Sequence, residues 1–131
     1  MGNIDDFLAA KAFGVIGVSK DRNKYGNKVL RCYLQHHKII YPIHPLETHI
    51  EGVNCLKNMS ELPEEVESLS MITPPAFTER LMEQIIKLPH IKNIWMQPGA
   101  ESLKAVELGQ KNHKNIIYGG PCILVTLGYH D

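Results

Sequence analysis

A doubly wound α/β sheet is what this sequence predicts, on three observations. Short apolar runs alternate with amphipathic stretches along the chain, the first run is apolar at nearly every position, and a turn carrying Gly17 and Gly26 leads from it into a helix. Near-continuous apolar runs suit parallel strands covered on both faces, and strands alternating with helices call for right-handed crossovers. The expectation is one Rossmann-like domain over residues 1–131, with a parallel sheet of about five strands in the order 3-2-1-4-5.

The elements follow in order. Ile4, Phe7, Leu8 and Ala12 recur at helical spacing, with Asn3 or Asp5 able to cap, which predicts a short leading helix over residues 3–11. Residues 13–18 form the first strand. Val29, Leu30, Tyr33 and Leu34 stripe a helix over residues 27–36. Residues 38–45 are the second strand and its exit, where Pro42 lacks a donor and marks either an edge strand or a strand end. Residues 49–56 read as a loop around Gly52, and residues 60–65 as at most one helical turn before an acidic surface. Residues 68–72 form a third, weaker strand. Thr73-Pro74-Pro75 stops that strand and starts a helix, because proline is tolerated at first helical positions, where its N–H is not needed. Phe77, Leu81, Met82, Ile85 and Ile86 stripe this helix, which ends before Pro89. Residues 93–96, 102–111 and 115–118 complete the series as strand, helix and strand, and the glycine-rich, then apolar tail receives no assignment.

Fourteen basic residues balance fourteen acidic ones, a neutrality that argues against nucleic-acid and membrane surfaces. The positive charge is local: Lys20, Arg22, Lys24, Lys28 and Arg31 cluster around the first turn. Cys32, Cys55 and Cys122 are odd in number and lack a C-x-x-C pair, which excludes a disulfide framework or zinc ribbon and suits a reducing compartment. None of the seven histidines falls into H-E-x-x-H spacing. Without a basic leader or long apolar run, a cytoplasmic protein is expected. Met1-Gly2 begins like a myristoylation site, but Asp6 stands where Ser or Thr is required. A two-fold homodimer is the general expectation for a small protein of this kind.

In a doubly wound sheet, ligands bind beyond the carboxyl ends of the strands where their order reverses. Five segments should converge there: the turn running through Gly17, Val18, Ser19, Lys20, Arg22, Lys24, Tyr25 and Gly26; His44-Pro45; Thr73-Pro74-Pro75; Gln97-Pro98-Gly99; and the stretch ending at Cys122. The first turn has the chemistry of a phosphate site, with glycine for close backbone approach, a helix start, the Ser19 hydroxyl and nearby cations. A dinucleotide with a free ribose 2′-hydroxyl usually meets Asp or Glu at the end of the second strand. This chain has His44-Pro45-Leu46, which disfavours NAD and suits a ribose carrying its own phosphate. His44 there is either a donor to that phosphate or a capping side chain.

The succession Val15-Ile16-Gly17-Val18-Ser19, Lys24-Tyr25-Gly26-Asn27-Lys28-Val29, Tyr41-Pro42-Ile43-His44-Pro45, Ile50-x-Gly52, Trp95-Met96-Gln97-Pro98-Gly99-Ala100 and Cys122 resembles the small CoA-binding proteins related to the N-terminal domain of the succinyl-CoA synthetase alpha subunit. The resemblance implies coenzyme A or an acyl-CoA as ligand. It places Gly17, Ser19, Lys24 and Tyr25-Gly26 at the phosphates, Pro45 on the adenine side, and Pro74 with Gln97-Pro98-Gly99 on the pantetheine side. Members commonly read Asn-Pro-Lys after the second strand, so Leu46 stands where a lysine would meet the ribose 3′-phosphate. The charged residues usual around the family's late cysteine are also absent beside Cys122. Cys122 is either a reactive thiol or a buried, inert one, and no nucleophile–base–orienter set is recognisable. Non-catalytic binding is therefore expected. The alternatives are an NAD(P)-type oxidoreductase and a regulatory interaction subunit with a vestigial nucleotide site.

Overall fold

Side chains two apart on a strand share a face. In the computed structural model, which describes residues 2–131, that alternation sorts the apolar residues into two cores. The Met1 half of the myristoylation reading lies outside the described residues. Along β1 (Ala12–Ile16), Phe13 and Val15 face one layer while Ala12 and Ile16 face the other. β6 (Asn93–Met96) repeats the pattern, with Trp95 on the first side and Ile94 and Met96 on the second. The first layer is covered by α1 (Ile4–Leu8), which Asn3 caps by accepting the Asp6 N–H, and by α2 (Tyr25–Gln35). The second is covered by α3 (Pro75–Ile85) and α4 (Leu103–Lys111).

β2 (Ile39–Ile43) and β5 (Val66–Met71) flank β1, and β6 and β7 (Asn115–Ile117) follow β5, all parallel. The doubly wound class therefore stands, but the order does not: counted among the five long strands it is 2-1-3-4-5, not 3-2-1-4-5. Pro42 supplies the physical reason. Its carbonyl accepts the Leu56 N–H at 2.9 Å, so the peptide groups of this residue face away from β1, and the donor that proline lacks is missing from the outer edge of β2. A third long strand cannot be zipped onto that edge, and it joins β1 on the other side.

The expected third strand starts earlier than its sequence suggests, at Val66. Ser68 and Ser70, which make it look weak, point together to the α1–α2 layer. Ser68 Oγ donates to the Phe7 carbonyl (2.7 Å) and Ser70 Oγ meets Tyr33 Oη (2.6 Å), so both hydroxyls are buried with partners.

Two further segments differ from expectation. Residues 49–56 are not a plain loop: β3 (His49–Ile50) and β4 (Val53–Asn54) form a hairpin turning at Glu51 and Gly52, both at positive φ. The unassigned tail contains a π-helical turn (Leu124–Gly128) laid along α2, where His36 Nε2 meets the Gly128 carbonyl at 2.7 Å and Gln35 hydrogen-bonds the His130 backbone.

Candidate functional site: a cleft at the strand exits

Gly17 ends β1 with φ at 97°, and a Cβ there would lie 2.1 Å from the Ile72 carbonyl oxygen. Gly26, in the first turn of α2, has the same problem from the other direction: its Cβ would fall 2.2 Å from the Gly17 carbonyl oxygen. Two glycines thus let the exits of β1 and β5 and the start of α2 touch backbone to backbone. Beside this junction, where the order of the strands reverses at β1, opens a cleft of about 450 Å³. Gly17, Val18, His44, Pro45, Thr73 and Pro74, all expected at the site, line it.

The loop between Gly17 and Gly26 is built by local bonds. Ser19 Oγ accepts the Asp21 N–H (3.1 Å), Asp21 Oδ1 accepts the Asn23 N–H (3.0 Å), and the Asp21 carbonyl accepts the Lys24 N–H (3.0 Å). Among the described residues, no protein acceptor meets the N–H groups of Val18, Ser19 and Lys20. Buried Asn27 braces the loop, donating to the Ser19 carbonyl (2.8 Å) and to Glu51 (3.1 Å). The loop cations are not all unpaired: Lys20 meets Glu47 at 3.2 Å and Arg22 meets Glu51 at 3.6 Å, while Lys24 is exposed. The first pair ties the loop to the β2–β3 connection and the second to the β3–β4 turn.

His44 is a capping residue. Its Nδ1 accepts from both the Leu46 N–H (3.0 Å) and the Glu47 N–H (2.9 Å), which leaves the ring proton on Nε2.

Tyr25, Gln97 and Cys122 come together away from this cleft, on the α2 side of the sheet. Tyr25 Oη lies 2.8 Å from Cys122 Sγ and donates to Gln97 Oε1 (3.1 Å), which also accepts the Ile123 N–H (3.0 Å). Gln97 is fully buried, and its Nε2 has no partner among the described residues. Pro98 and Gly99 join neither group; they form an exposed turn in which Gly99 N–H donates to Glu101 Oε1 (2.8 Å).

Sequence reasoning misses Lys57, Asn58, Phe77 and Gln84, which also line the cleft. Asn58-x-x-Glu61 is a capping box, a local signal that fixes the loop at residues 57–61. Phe77 has the spacing of one more member of the α3 stripe. It stands 51% exposed in the first turn of α3, and its ring forms a wall of the cleft beneath the Arg80 guanidinium, 4.6 Å from the ring centre.

Burial also sets how this region responds to alkali. The Cys32 thiol, fully buried beneath the Cys122–Ile123 turn, is pushed up to about 11 from an ordinary 9.0, first by burial and then by Cys122. Tyr33 is raised by burial, and Tyr25 by burial and by its hydrogen bond to Cys122. Folded chains keep these protons while unfolded chains release them, so the native state binds more protons and stability falls as pH rises past about 9. Lys114, lowered by burial, works in the opposite sense. The expected net result is a melting midpoint that drops between about pH 8 and 10.5, with a shallower drop up to about pH 10 in Cys32→Ala. A flat profile by circular dichroism would contradict this account.

Known proteins bear on the cleft. The chain is 28% identical over 80 residues to the alpha subunit of acetate–CoA ligase (ADP-forming) II of Pyrococcus furiosus, an alignment covering 60% of this chain and 18% of the ligase subunit. It spans less than a fifth of the curated ligase chains it matches. Among solved structures, a conserved hypothetical protein of Pyrococcus furiosus superposes with a TM-score of 0.83 at 29% identity, covering 88% of this chain and 98% of that one. The dinucleotide-forming acetyl-coenzyme A synthetase 1 of Ca. Korarchaeum cryptofilum shares the fold, at a TM-score of 0.76 and 22% identity, over 92% of this chain and 28% of that protein. The family model described as a CoA binding domain matches residues 11–128, from the residue before β1 to the end of the π-helical turn, and so takes in every element that builds the cleft: the chain belongs to the CoA-binding domain family, related to the succinyl-CoA synthetase alpha subunit.

Proposed function

We propose that the chain binds coenzyme A or an acyl-CoA in the cleft between the exits of β1 and β2 and the start of α3, and that it does so without catalysing a reaction. The observation that carries this reading is the coincidence of the family match with an open cleft at the sheet's reversal point, next to the unpaired N–H groups of Val18, Ser19 and Lys20. Those amides suit the pyrophosphate, with the Ser19 hydroxyl and Lys24 beside it. Pro45 and Phe77 offer apolar surface to adenine. The non-catalytic half rests on Cys122, whose hydrogen-bond partner is the Tyr25 hydroxyl rather than a histidine or carboxylate base.

A melting series tests the reading. Coenzyme A at 100 times its dissociation constant should stabilise the fold by about 2.7 kcal/mol, a midpoint rise on the order of several degrees, whereas NAD should give none. A response to NAD alone would point to the oxidoreductase class. A response to neither would favour a subunit that binds protein, a reading to which the Lys20–Glu47 and Arg22–Glu51 pairs lend weight because they already neutralise two loop cations.

A further inference from the structure

We propose that Lys57 supplies the positive charge for the ligand's ribose 3′-phosphate, in place of the lysine that Leu46 displaces, an inference that rests on coenzyme A occupying the cleft. Leu46 is 84% exposed and does not line the cleft. His44 is committed through Nδ1 to two backbone donors, and Lys20 and Arg22 are engaged by Glu47 and Glu51. Among the described residues that line the cleft, Lys57 is the one cation, and no carboxylate lines it. Its ammonium forms no ion pair with any described residue.

The backbone holds this lysine in place. The preceding residue, Leu56, donates its N–H to the Pro42 carbonyl (2.9 Å), and its own carbonyl accepts the His44 N–H (2.8 Å), which sets Lys57 directly against the β2 exit. On the other side, Glu61 Oε2 accepts the N–H groups of Lys57 (3.1 Å) and Asn58 (3.0 Å). A lysine anchored at both ends of its peptide unit, in a cleft lined by no carboxylate and no other lysine or arginine, selects a compact dianion on an apolar body. The 3′-phosphate of an adenosine seated against Pro45 has that chemistry.

Calorimetric titration of the wild-type chain and of Lys57→Gln with coenzyme A and with dephospho-CoA tests the assignment. The wild type should bind coenzyme A roughly tenfold tighter than dephospho-CoA. Lys57→Gln should abolish that preference, leave dephospho-CoA affinity within about twofold and keep its melting midpoint, and Lys57→Arg should restore the preference. A preference that survives in Lys57→Gln overturns the assignment. Equal wild-type affinity for the two ligands overturns it while leaving the coenzyme A reading intact, and binding of neither overturns both.

Discussion

Gly17→Ala is expected to lose about 3 kcal/mol of stability, a midpoint fall on the order of 10 °C, and with it the ligand response. Two costs combine. An L-residue held at a φ of 97° is strained by roughly 1–2 kcal/mol, and the new Cβ would sit 2.1 Å from the Ile72 carbonyl oxygen, a backbone atom that cannot rotate away. Relief requires β1 and β5 to separate at their exits, where the cleft opens. Gly26→Ala meets a comparable overlap, 2.2 Å from the Gly17 carbonyl oxygen, but it stands in α2, where alanine recovers close to about 1 kcal/mol of helix propensity. The ordering matters: Gly17→Ala should be the more destabilising of the two in urea denaturation. Equal and small losses would mean that the junction is not the tight contact described.

That junction also shows what the sequence makes legible. Gly17 and Gly26 bracket a turn between an apolar run and an amphipathic one, and the positive φ of Gly17 and the contact of Gly26 with the Gly17 carbonyl are local, so the residue pattern locates the turn, though not the Ile72 carbonyl packed against it. The same holds for β6, where four consecutive residues, Asn93–Met96, are buried and the expected boundaries match. Where side chains make contacts remote in sequence, the reading fails. Ser68 and Ser70 look like poor strand residues until Phe7 and Tyr33 supply their partners. Pro42 correctly marks an edge, yet the order 3-2-1-4-5 would bury that edge; applying the proline argument to the sheet as a whole gives 2-1-3-4-5. Lys57 is silent in the sequence because its nearness to His44 depends on Leu56 docking against Pro42, a contact between segments fourteen residues apart.

Trp95 carries the second large effect, and it separates packing from placement. The indole is fully buried, stacks edge-on against Phe7 with ring centres 5.2 Å apart, and donates from Nε1 to the Pro121 carbonyl at 3.0 Å. Trp95→Ala should lose about 3–5 kcal/mol, because the cavity lies in the layer shared by α1 and α2 and neither helix can collapse into it without leaving the sheet. Trp95→Phe keeps an aromatic ring against Phe7 but leaves the Pro121 carbonyl without its donor, at a cost of about 1–3 kcal/mol. The consequence is local as well as global, since Pro121 leads straight into Cys122 and Ile123, the residues that hold Tyr25 and Gln97. Freed from Trp95, that turn should loosen, and Cys122 in Trp95→Phe should react with a thiol reagent several times faster than in the wild type, under conditions where circular dichroism shows both chains folded. Because Trp95 is the only tryptophan, circular dichroism rather than fluorescence must report the unfolding. If Trp95→Phe loses stability without any gain in Cys122 reactivity, the indole acts through packing alone and the hydrogen bond to Pro121 does not position the cysteine.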